Sequence, residues 1–384
     1  MKIEAMENLP LKSLRIAQFR GLQELKFDGF SRINLLVGAN NSGKTSVLDA
    51  LALFCRPLDI SNWRETARGR EVKSARTPET EPFKWLFPQF LESSLQTPHS
   101  VWLYGDGAFS GRRVLAQYDE FQEFGSTDAE SESLSVRETD EDPEVGMNIQ
   151  VLADYAPMIA GQLDNSRVNQ NKLELKVVNN RRNIYPATVS EPAIDLAFIS
   201  PHSHRTTQDT SWYLSRAIQR EAVDENFREA VLEILRRIDP EVLDLSIVET
   251  GKTTTGISIK HKRTGRTPVH AFGDGFRRAL LIAATIPSVR NGVLLIDEIE
   301  AALHVSVLNS VLETLRWAAD LYNVQVFATT HSLEAVDAVI KAFSGREASL
   351  SGFRLDRLKE NTFVTAYPGP LLRETRYEMG FEIR

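Results

Sequence analysis

The segment from Leu35 to Ser46 has the residue types and spacing of a phosphate-binding loop. It reads Leu-Leu-Val-Gly-Ala-Asn-Asn-Ser-Gly-Lys-Thr-Ser, and a helical pattern continues to Phe54. An apolar strand that runs into Gly-x4-Gly-Lys-Thr and then a helix is the context that a P-loop requires. Glycines let successive N–H groups turn toward phosphate oxygens, and the helix N-terminus adds partial positive charge. We therefore expect phosphate contacts from Gly38, Ala39, Asn40, Asn41, Ser42, Gly43, Lys44, Thr45 and Ser46.

Two side chains of this loop have separate chemical roles. Lys44 is expected to reach the β- and γ-phosphates and to act in catalysis, and the Thr45 hydroxyl is expected to ligate Mg²⁺. A glycine-rich turn that fits the pattern by chance is the alternative, but it does not explain the strand before the loop and the helix after it.

Polar residues also end two later apolar runs. Asp297 and Glu298 follow Val293–Ile296, and His331 ends the run that begins at Val324. In a parallel sheet, ligands gather at the carboxyl ends of the strands. Adjacent acids at such an end are costly unless a cation or a proton meets them, so Asp297 suits Mg²⁺. Glu298 suits the base that orients an attacking water, and His331 is placed to hydrogen-bond the γ-phosphate or that water.

The elements that must position these residues indicate an α/β fold. Apolar runs that alternate with helices predict a mostly parallel core sheet, and residues 11–37 predict an antiparallel pair that leads into the P-loop strand. Shorter runs at 101–104, 114–116, 148–152 and 173–178 predict an antiparallel β lobe. Further along, the patterns predict a helix over 211–238, strands Leu243–Glu249 and Gly256–His261, a helix over 279–286, and strands Gly352–Leu358 and Thr362–Ala366.

Composition restricts the classes of protein. The chain has 384 residues, a formal net charge of −7 and one cysteine, Cys55. This balance argues against a generally basic nucleic-acid binder, and one cysteine gives neither a disulfide framework nor a Cys-based zinc site. No signal-peptide pattern and no apolar run of about 18 residues is found, so we expect a cytoplasmic protein with no membrane partner.

The motifs together resemble a known family. Phe19-Arg20-Gly21, the P-loop, Gly273-Asp274-Gly275, Leu294–Glu298 and Thr329-Thr330-His331-Ser332 occur in the order found in ABC-type ATPase heads of the RecF/SMC class. Glu300 and Leu303-His304 match a run common in prokaryotic AAA-labelled ATPases related to OLD nucleases and to the ATPase subunits of the PARIS and Septu phage-defence systems. The resemblance covers residues 11–54 and 270–335 well and the middle poorly.

This resemblance implies a P-loop NTPase of ABC-head architecture with a helical signature subdomain. It implies an N-terminal lobe over 1–200 with a flexible acidic loop at 119–146, a signature subdomain over 201–285, and a C-terminal lobe over 286–384 that completes the core. Two heads would sandwich two ATP molecules, so that the catalytic residues of one head face the signature loop of the other in a homodimer or higher oligomer. The implied nucleotide contacts then also include Arg20, Gly273, Asp274 and Gly275, and residues 300–304 would cross the dimer interface.

Two departures from the family pattern bear on catalysis. The usual signature serine is missing, since Phe272 or Gly273 stands there. Arg277 or Arg278 would supply charge to the partner's site or would face solvent. No Q-loop glutamine is assignable, and Gln89 and Gln117 are the candidates. Slow hydrolysis of ATP would be consistent with both departures.

Three function classes remain. The first is an ATP-gated ATPase or sensor subunit in antiviral defence that controls a separately encoded effector such as a nuclease. The tail after His331 is too short for a nuclease domain of the OLD type, so the chain itself is expected to cut nothing. The second is a RecF-like DNA-repair or recombination ATPase that binds duplex DNA, and the third is a nucleotide-locked scaffold. A transporter motor and a long-armed chromosome protein fit less well, because the chain has no long heptad run.

Three local features have alternative interpretations. The acidic stretch between Asp119 and Glu144 is a solvated loop or a docking segment, and the composition favours the loop. His202 and His204 have metal-like spacing, but no acidic or cysteine partner is nearby in sequence. Lys260, His261, Lys262, Arg263 and Arg266 form either a DNA-binding cluster or a solvent-exposed hairpin tip.

Overall fold

A central six-stranded sheet forms the middle of the chain's fold in the computed structural model. The structure describes residues 9–69, 78–89, 99–123, 144–155, 158–159, 162–163, 169–179, 193–205, 227–249, 255–359 and 361–383. In spatial order, the strands of the sheet are β10 (Leu196–Ile199), β14 (Val293–Ile296), β15 (Gln325–Thr330), β3 (Ile33–Val37), β16 (Leu350–Leu358) and β17 (Asn361–Pro368). The first five run parallel, and β17 pairs antiparallel with β16 at the edge. The predicted mostly parallel core sheet is confirmed.

The central strands are apolar without alternation because both faces of the sheet are covered. Every residue of β3, β14 and β15 is buried. One face packs against helices α4 (Phe227–Ile238), α5 (Asp274–Ser288), α6 (Val305–Leu321) and α7 (Leu333–Ala342). The other face packs against helix α1 (Lys44–Cys55) and the second sheet. Strands enclosed in this way are expected to be continuous apolar runs.

The second sheet is antiparallel and forms the predicted β lobe. Its order is β2 (Leu22–Asp28), β1 (Leu11–Phe19), β4 (Ser100–Gly107), β5 (Arg112–Glu123), β6 (Glu144–Tyr155) and β9 (Asn169–Val178). Alternate residues of β4, such as Val101 and Leu103, are buried toward α1, which gives the period-two pattern. The predicted acidic loop is too long at both ends, because β5 extends to Glu123 and β6 begins at Glu144. Its centre, 124–143, lies outside the described residues.

One buried side chain joins the two sheets. The Gln325 side chain, at the start of β15, accepts a hydrogen bond from the Leu11 N–H through Oε1 at 2.8 Å. Its Nε2 donates to the carbonyls of Leu11 and Ser31 at 2.8 and 3.0 Å. The side-chain amide therefore takes the place of a β-bridge between β15 and the first strand of the antiparallel lobe.

The smaller elements include several that the sequence patterns do not reveal. Strands β11 (Val242–Glu249) and β12 (Thr255–His261) confirm the prediction, and a third strand, β13 (Gly265–Pro268), joins them. Helix α2 (Ile60–Arg68) begins at Asp59, whose carboxylate accepts from the Ser61 N–H at 2.9 Å. The remaining elements are the hairpin of β7 (Met158–Ile159) and β8 (Gln162–Leu163) and the helices α3 (Glu81–Lys84) and α8 (Gly369–Tyr377).

The structure bears in part on two predictions about helices. The predicted helix over 211–238 is described only from Phe227, and its first part lies outside the described residues. Among the residues that are described, no helix is both long and apolar enough to cross a membrane.

Burial of Cys55 makes a testable prediction. The thiol lies at the end of α1 with no exposed surface, and burial raises its pKa to about 12. Because the thiolate is the reactive form, only about one thiol in ten thousand is ionised at pH 8. We expect iodoacetamide to leave the native protein unlabelled over hours and to label it fully in 6 M guanidinium, as followed by intact-mass spectrometry with free cysteine as the reactivity standard. Rapid labelling of the native protein would contradict this environment.

Candidate nucleotide-binding and catalytic site

The strand ends that the sequence singles out meet at one cavity. Strands β3, β15 and β14 are parallel neighbours, so the residues that follow them lie side by side. The cavity has a volume of about 330 Å³. It is lined by Asn40, Asn41, Gly43, Lys44, Thr45, Ser46, Asp297, Glu298, Thr329 and His331.

The loop after β3 needs its two glycines for different reasons. Gly38 has φ 150°, and a Cβ there would lie 2.5 Å from the Leu355 carbonyl oxygen of the neighbouring strand β16. Gly43 has φ 96° and precedes α1, where a Cβ would lie 2.6 Å from Leu22 Cδ2. Both positions combine a left-handed backbone with close contact, which only glycine accommodates. The loop is therefore wedged between β16 and β2.

The two side chains that begin α1 have defined partners. Lys44 Nζ donates to the carbonyls of Gly38 and Ala39 at 2.7 and 2.8 Å. Burial lowers the pKa of Lys44, and the nearby Asp297, Glu300 and Glu298 oppose that shift. The Thr45 hydroxyl lies 3.1 Å from both carboxylate oxygens of Asp297. A hydroxyl and a carboxylate in such contact form an all-oxygen donor set that fits Mg²⁺.

Thr329 fixes the Asp-Glu pair. Its hydroxyl donates to Asp297 Oδ1 at 2.6 Å and accepts from the Glu298 N–H at 2.8 Å. Asp297 is 8% exposed, so this hydroxyl meets a carboxylate that has lost most of its water. Glu298 has a left-handed backbone with φ 50°, which is uncommon for a residue with a side chain. The strand end is thus held in a specific, strained geometry by its neighbour.

Glu300 is a site residue whose contacts the sequence motif does not reveal. Its Oε1 accepts from the Thr330 hydroxyl at 2.7 Å and from the His331 N–H at 3.4 Å. His331 Nδ1 lies 3.6 Å from the same oxygen. The carboxylate therefore hydrogen-bonds the backbone at His331 and lies near its ring. The family run marks Glu300, but the strand pairing that brings it to His331 is visible only in the fold.

The other predicted nucleotide contacts lie away from the cavity lining. Arg20 forms an ion pair with Asp49 on α1 at 3.0 Å and donates to the Thr66 carbonyl at 3.1 Å. Gly38, Ala39 and Ser42 belong to the loop, but they are not among the cavity's lining residues. Gly273, Asp274 and Gly275 form the start of α5 and are likewise absent from that lining. Their roles in nucleotide binding stay predictions.

Both interpretations of Arg278 as a solvent-facing or partner-directed charge are wrong. Arg278 is completely buried, and its guanidinium donates to backbone carbonyls of its own chain, those of Ser200, Asp297 and Glu298. Arg277 is partly exposed and pairs with Asp274. The helical spacing places the two arginines on different faces of α5, one toward the core and one toward its first turn.

The two Q-loop candidates also lie elsewhere. The Gln89 side chain donates to the carbonyls of Lys84 and Phe87 in an exposed turn. Gln117 is exposed on β5. Neither lines the cavity.

The histidines that suggested metal binding have other surroundings. His204 is 3% exposed, with Nε2 3.7 Å from Asp274 Oδ2, and its pKa is lowered by burial and by Arg278, so the ring is neutral at pH 7. The described residues do bring one possible ligand group together, Asp239, Glu241 and His261. The Arg263 N–H donates to His261 Nδ1 at 3.2 Å, which leaves the proton of the neutral ring on Nε2, facing both carboxylates. A protonated Nε2 offers no lone pair to a cation, so we interpret this group as structural.

The fold and the cavity define a P-loop ATPase domain. A family model described as "AAA domain, putative AbiEii toxin, Type IV TA system" matches residues 33–337. The chain belongs to this AAA ATPase family. The match runs from the P-loop strand through β14 and β15 and the start of α7, and so includes every residue that lines the cavity.

Individual relatives span different parts of the chain. "ATP/GTP phosphatase" of Helicobacter pylori is 21% identical over 359 residues, which is 86% of this chain and 88% of that protein. "Uncharacterized protein MJECL11" of Methanocaldococcus jannaschii is 39% identical over 114 residues, 29% of this chain and 98% of that protein. Among solved structures, an SmcHead bound to the C-winged helix domain of ScpA is 14% identical, covers 93% of this chain and 97% of that chain, and has a TM-score of 0.49. At that score the structural likeness supports no argument about function.

The contribution of Thr329 can be measured as a change in the free energy of unfolding. Replacement by valine keeps the shape but leaves the Glu298 N–H without its partner and removes one of the two donors to Asp297 Oδ1, so Thr329→Val should lower the free energy of unfolding by about 1–3 kcal/mol. Thr285→Val is the matched control, because Thr285 is equally buried and its hydroxyl donates only to the Leu281 carbonyl within α5. The control should cost less than about 1 kcal/mol in urea denaturation. Equal losses would contradict the special role of Thr329.

Proposed function

We propose that the chain is an ATP-binding and ATP-hydrolysing switch, the ATPase or sensor subunit of a defence system that controls a separately encoded effector. The observation that supports hydrolysis best is the cavity itself, where the P-loop, an acid pair and a histidine share one edge of the sheet. Membership of the AAA ATPase family and a relative named "ATP/GTP phosphatase" support the same activity.

The donor set fits Mg-ATP in its chemistry. Lys44 and the loop amides would hold the phosphates, and Thr45 with Asp297 would hold Mg²⁺, which neutralises charge on the phosphate oxygens when bound. Glu298 lines the cavity and is the residue that would accept a proton from the attacking water. His331, whose Nδ1 lies 3.6 Å from Glu300 Oε1, would donate a hydrogen bond at the same edge. The missing signature serine and the unassigned Q-loop glutamine are consistent with slow turnover.

Two copies are proposed to close on each other when ATP binds. The start of α5, with the Gly273–Gly275 signature loop, and the loop 300–304 both lie at the surface. Directly after that loop, Val305 and Val307 expose 57% and 37% of their surface. Apolar side chains exposed beside a polar site are typical of an interface. An isologous two-fold dimer would place each signature loop at the partner's nucleotide.

The proposal that the chain controls an effector is based on the family description and on the motif resemblance. The description names a toxin of a type IV TA system, and the motifs resemble ATPases related to OLD nucleases and to PARIS and Septu subunits. A switch of this kind would bind its effector in one nucleotide state and release it in the other. The nucleotide state of the dimer would therefore set the effector's activity.

Glu298→Gln tests the switch. The variant keeps the shape of the site but removes the base, so phosphate release should fall by about 100-fold or more while ATP binding is retained. Light scattering should then show a dimer that persists in Mg-ATP, whereas Lys44→Ala should bind no ATP and stay at the mass seen without nucleotide. Equal phosphate release by Glu298→Gln and wild type would instead favour the nucleotide-locked scaffold.

The trapped variant also tests the effector. Glu298→Gln, expressed in the native host and isolated in Mg-ATP, should retain a nuclease or toxin in stoichiometric amount, and Lys44→Ala should not. Recovery of no second protein with either variant would contradict the proposed effector.

The DNA-repair alternative has one supporting observation. Lys260, Lys262, Arg263 and Arg266 are exposed on the β12–β13 hairpin. Part of this charge is already paired, however, because Arg263 forms an ion pair with Glu241, which directly precedes β11. Duplex binding that weakens steeply with salt and is lost in Lys260→Glu/Lys262→Glu, but not in Lys26→Glu on the distant strand β2, would favour this alternative.

A further inference from the structure

Arg278 joins helix α5 to the end of strand β14, where Asp297 and Glu298 follow. It is completely buried, and its guanidinium donates to three backbone carbonyls and to no carboxylate that the structure shows. Two of these carbonyls belong to Asp297 and Glu298, at 3.1 and 3.2 Å, and the third belongs to Ser200 at the end of β10. A planar fork can bridge separate carbonyls in this way, which a single ammonium cannot do with the same geometry.

Burial of the charged guanidinium of Arg278 has a cost in free energy. Burial lowers its pKa to about 10, and the charges of Asp297, Glu298 and Glu300 oppose that shift. The guanidinium therefore stays charged at pH 7 beside three acids of the site. A buried cation of this kind persists only where its hydrogen bonds and nearby charges offset the loss of water.

The residue that Arg278 holds is the strained one. Glu298 has φ 50°, and such a backbone persists only where its surroundings impose it. Thr329 fixes the Glu298 N–H and Arg278 fixes its carbonyl, so both peptide groups that flank the Glu298 Cα are held. Thr329 belongs to the sheet, whereas Arg278 belongs to a helix that starts at the surface.

The first turn of α5 touches the same segment a second time. A Cβ at Gly275 would lie 3.3 Å from the carbonyl oxygen of Ala302, in the loop that follows Glu298. Ala302 also has a left-handed backbone, with φ 62°. The start of α5 and the segment 297–302 thus pack closely enough that a shift of one requires an adjustment of the other.

We propose that Arg278 is a positioning residue that sets the backbone conformation of Glu298. Through Arg278, the position of helix α5 controls hydrolysis in the same chain. The regulatory part rests on the proposed function, in which the start of α5 meets the partner's nucleotide. A partner that moves this helix then changes the alignment of Glu298 in the first chain. Each nucleotide site would thereby respond to occupancy of the other.

Arg278→Lys tests the proposal directly. With the fork removed, kcat for ATP should fall about 100-fold, as expected when a reacting group is misplaced by about 1 Å. The Kd for a fluorescent ATP analogue should change by less than about threefold, because the P-loop is untouched. Hydrogen exchange should become about tenfold faster at the amides of residues 297–300.

Arg112→Lys is the matched control. Arg112 is the other completely buried arginine of the described residues, and it stacks on Phe109 at 4.4 Å in the antiparallel lobe. The control reports the general cost of this substitution and should leave kcat and the exchange of 297–300 unchanged. If both variants accelerate exchange at 297–300 equally, or if Arg278→Lys keeps wild-type kcat and exchange, the proposal is overturned.

Two further measurements separate positioning from a merely structural role. In a Glu298→Gln background, Arg278→Lys should cause no further loss of turnover, since both changes act on one group. If Arg278→Lys fails to fold, Arg278→Gln removes the charge and retains a donor, and the same comparison applies. If the wild type releases no phosphate, the proposed function fails, while the exchange of 297–300 still decides whether Arg278 positions Glu298.

Discussion

The site depends on placing a carboxylate where the sheet has excluded water. Asp297 ends a strand whose four residues are completely buried, and an isolated charge there would cost several kcal/mol. The neighbouring strand supplies the Thr329 hydroxyl and the P-loop helix supplies the Thr45 hydroxyl to the carboxylate, and the Arg278 guanidinium of α5 donates to the backbone carbonyl of the same residue. These donors come from elements far apart in sequence. Asp297 is thus central to the site and is contacted by residues from several layers of the core.

The same constraint explains why polar residues are concentrated at one edge. Along β14 and the middle of β15 the side chains are apolar, and hydroxyl, carboxylate and imidazole groups then follow within a few residues at the carboxyl ends. Thr329 donates to Asp297, and Thr330 donates to Glu300, which also accepts from the His331 backbone N–H. Because such a network is satisfied only as a whole, a change at one member is felt by the others.

The sequence predicts the parts of this fold that repeat a strong local pattern. The P-loop, the Asp-Glu strand and the His strand are readable because glycine spacing and apolar runs are local, and the fold places their residues around one cavity. Arg278 is the instructive failure. Its neighbours in sequence are Arg277 and the apolar run that begins at Ala279, and nothing local shows that it reaches carbonyls 19 and 78 residues away. Arg20 is a similar case, since its partner Asp49 is chosen by packing of α1 on the antiparallel lobe.

The sequence also does not predict short elements or contacts between residues that are far apart in the chain. Strand β13 and helix α8 have no periodic apolar pattern of sufficient length, and tertiary packing decides their conformation. Glu300 belongs to a recognisable run, yet its contact with His331 depends on the pairing of β14 with β15. Sequence reasoning therefore finds the groups that do chemistry more readily than the groups that hold them.

The order of strands in the central sheet has a consequence for synthesis of the chain. Strand β3, which carries the P-loop, lies between β15 and β16, whose residues come some 300 positions later. A nascent chain that has emerged only as far as α5 thus has the complete P-loop sequence but neither neighbour of its strand. Even the close fit of Gly38 against the Leu355 carbonyl requires β16 to be present. The P-loop strand therefore gains both of its neighbours only after β15 and β16 have been synthesised, so the site cannot form from the N-terminal part of the chain alone.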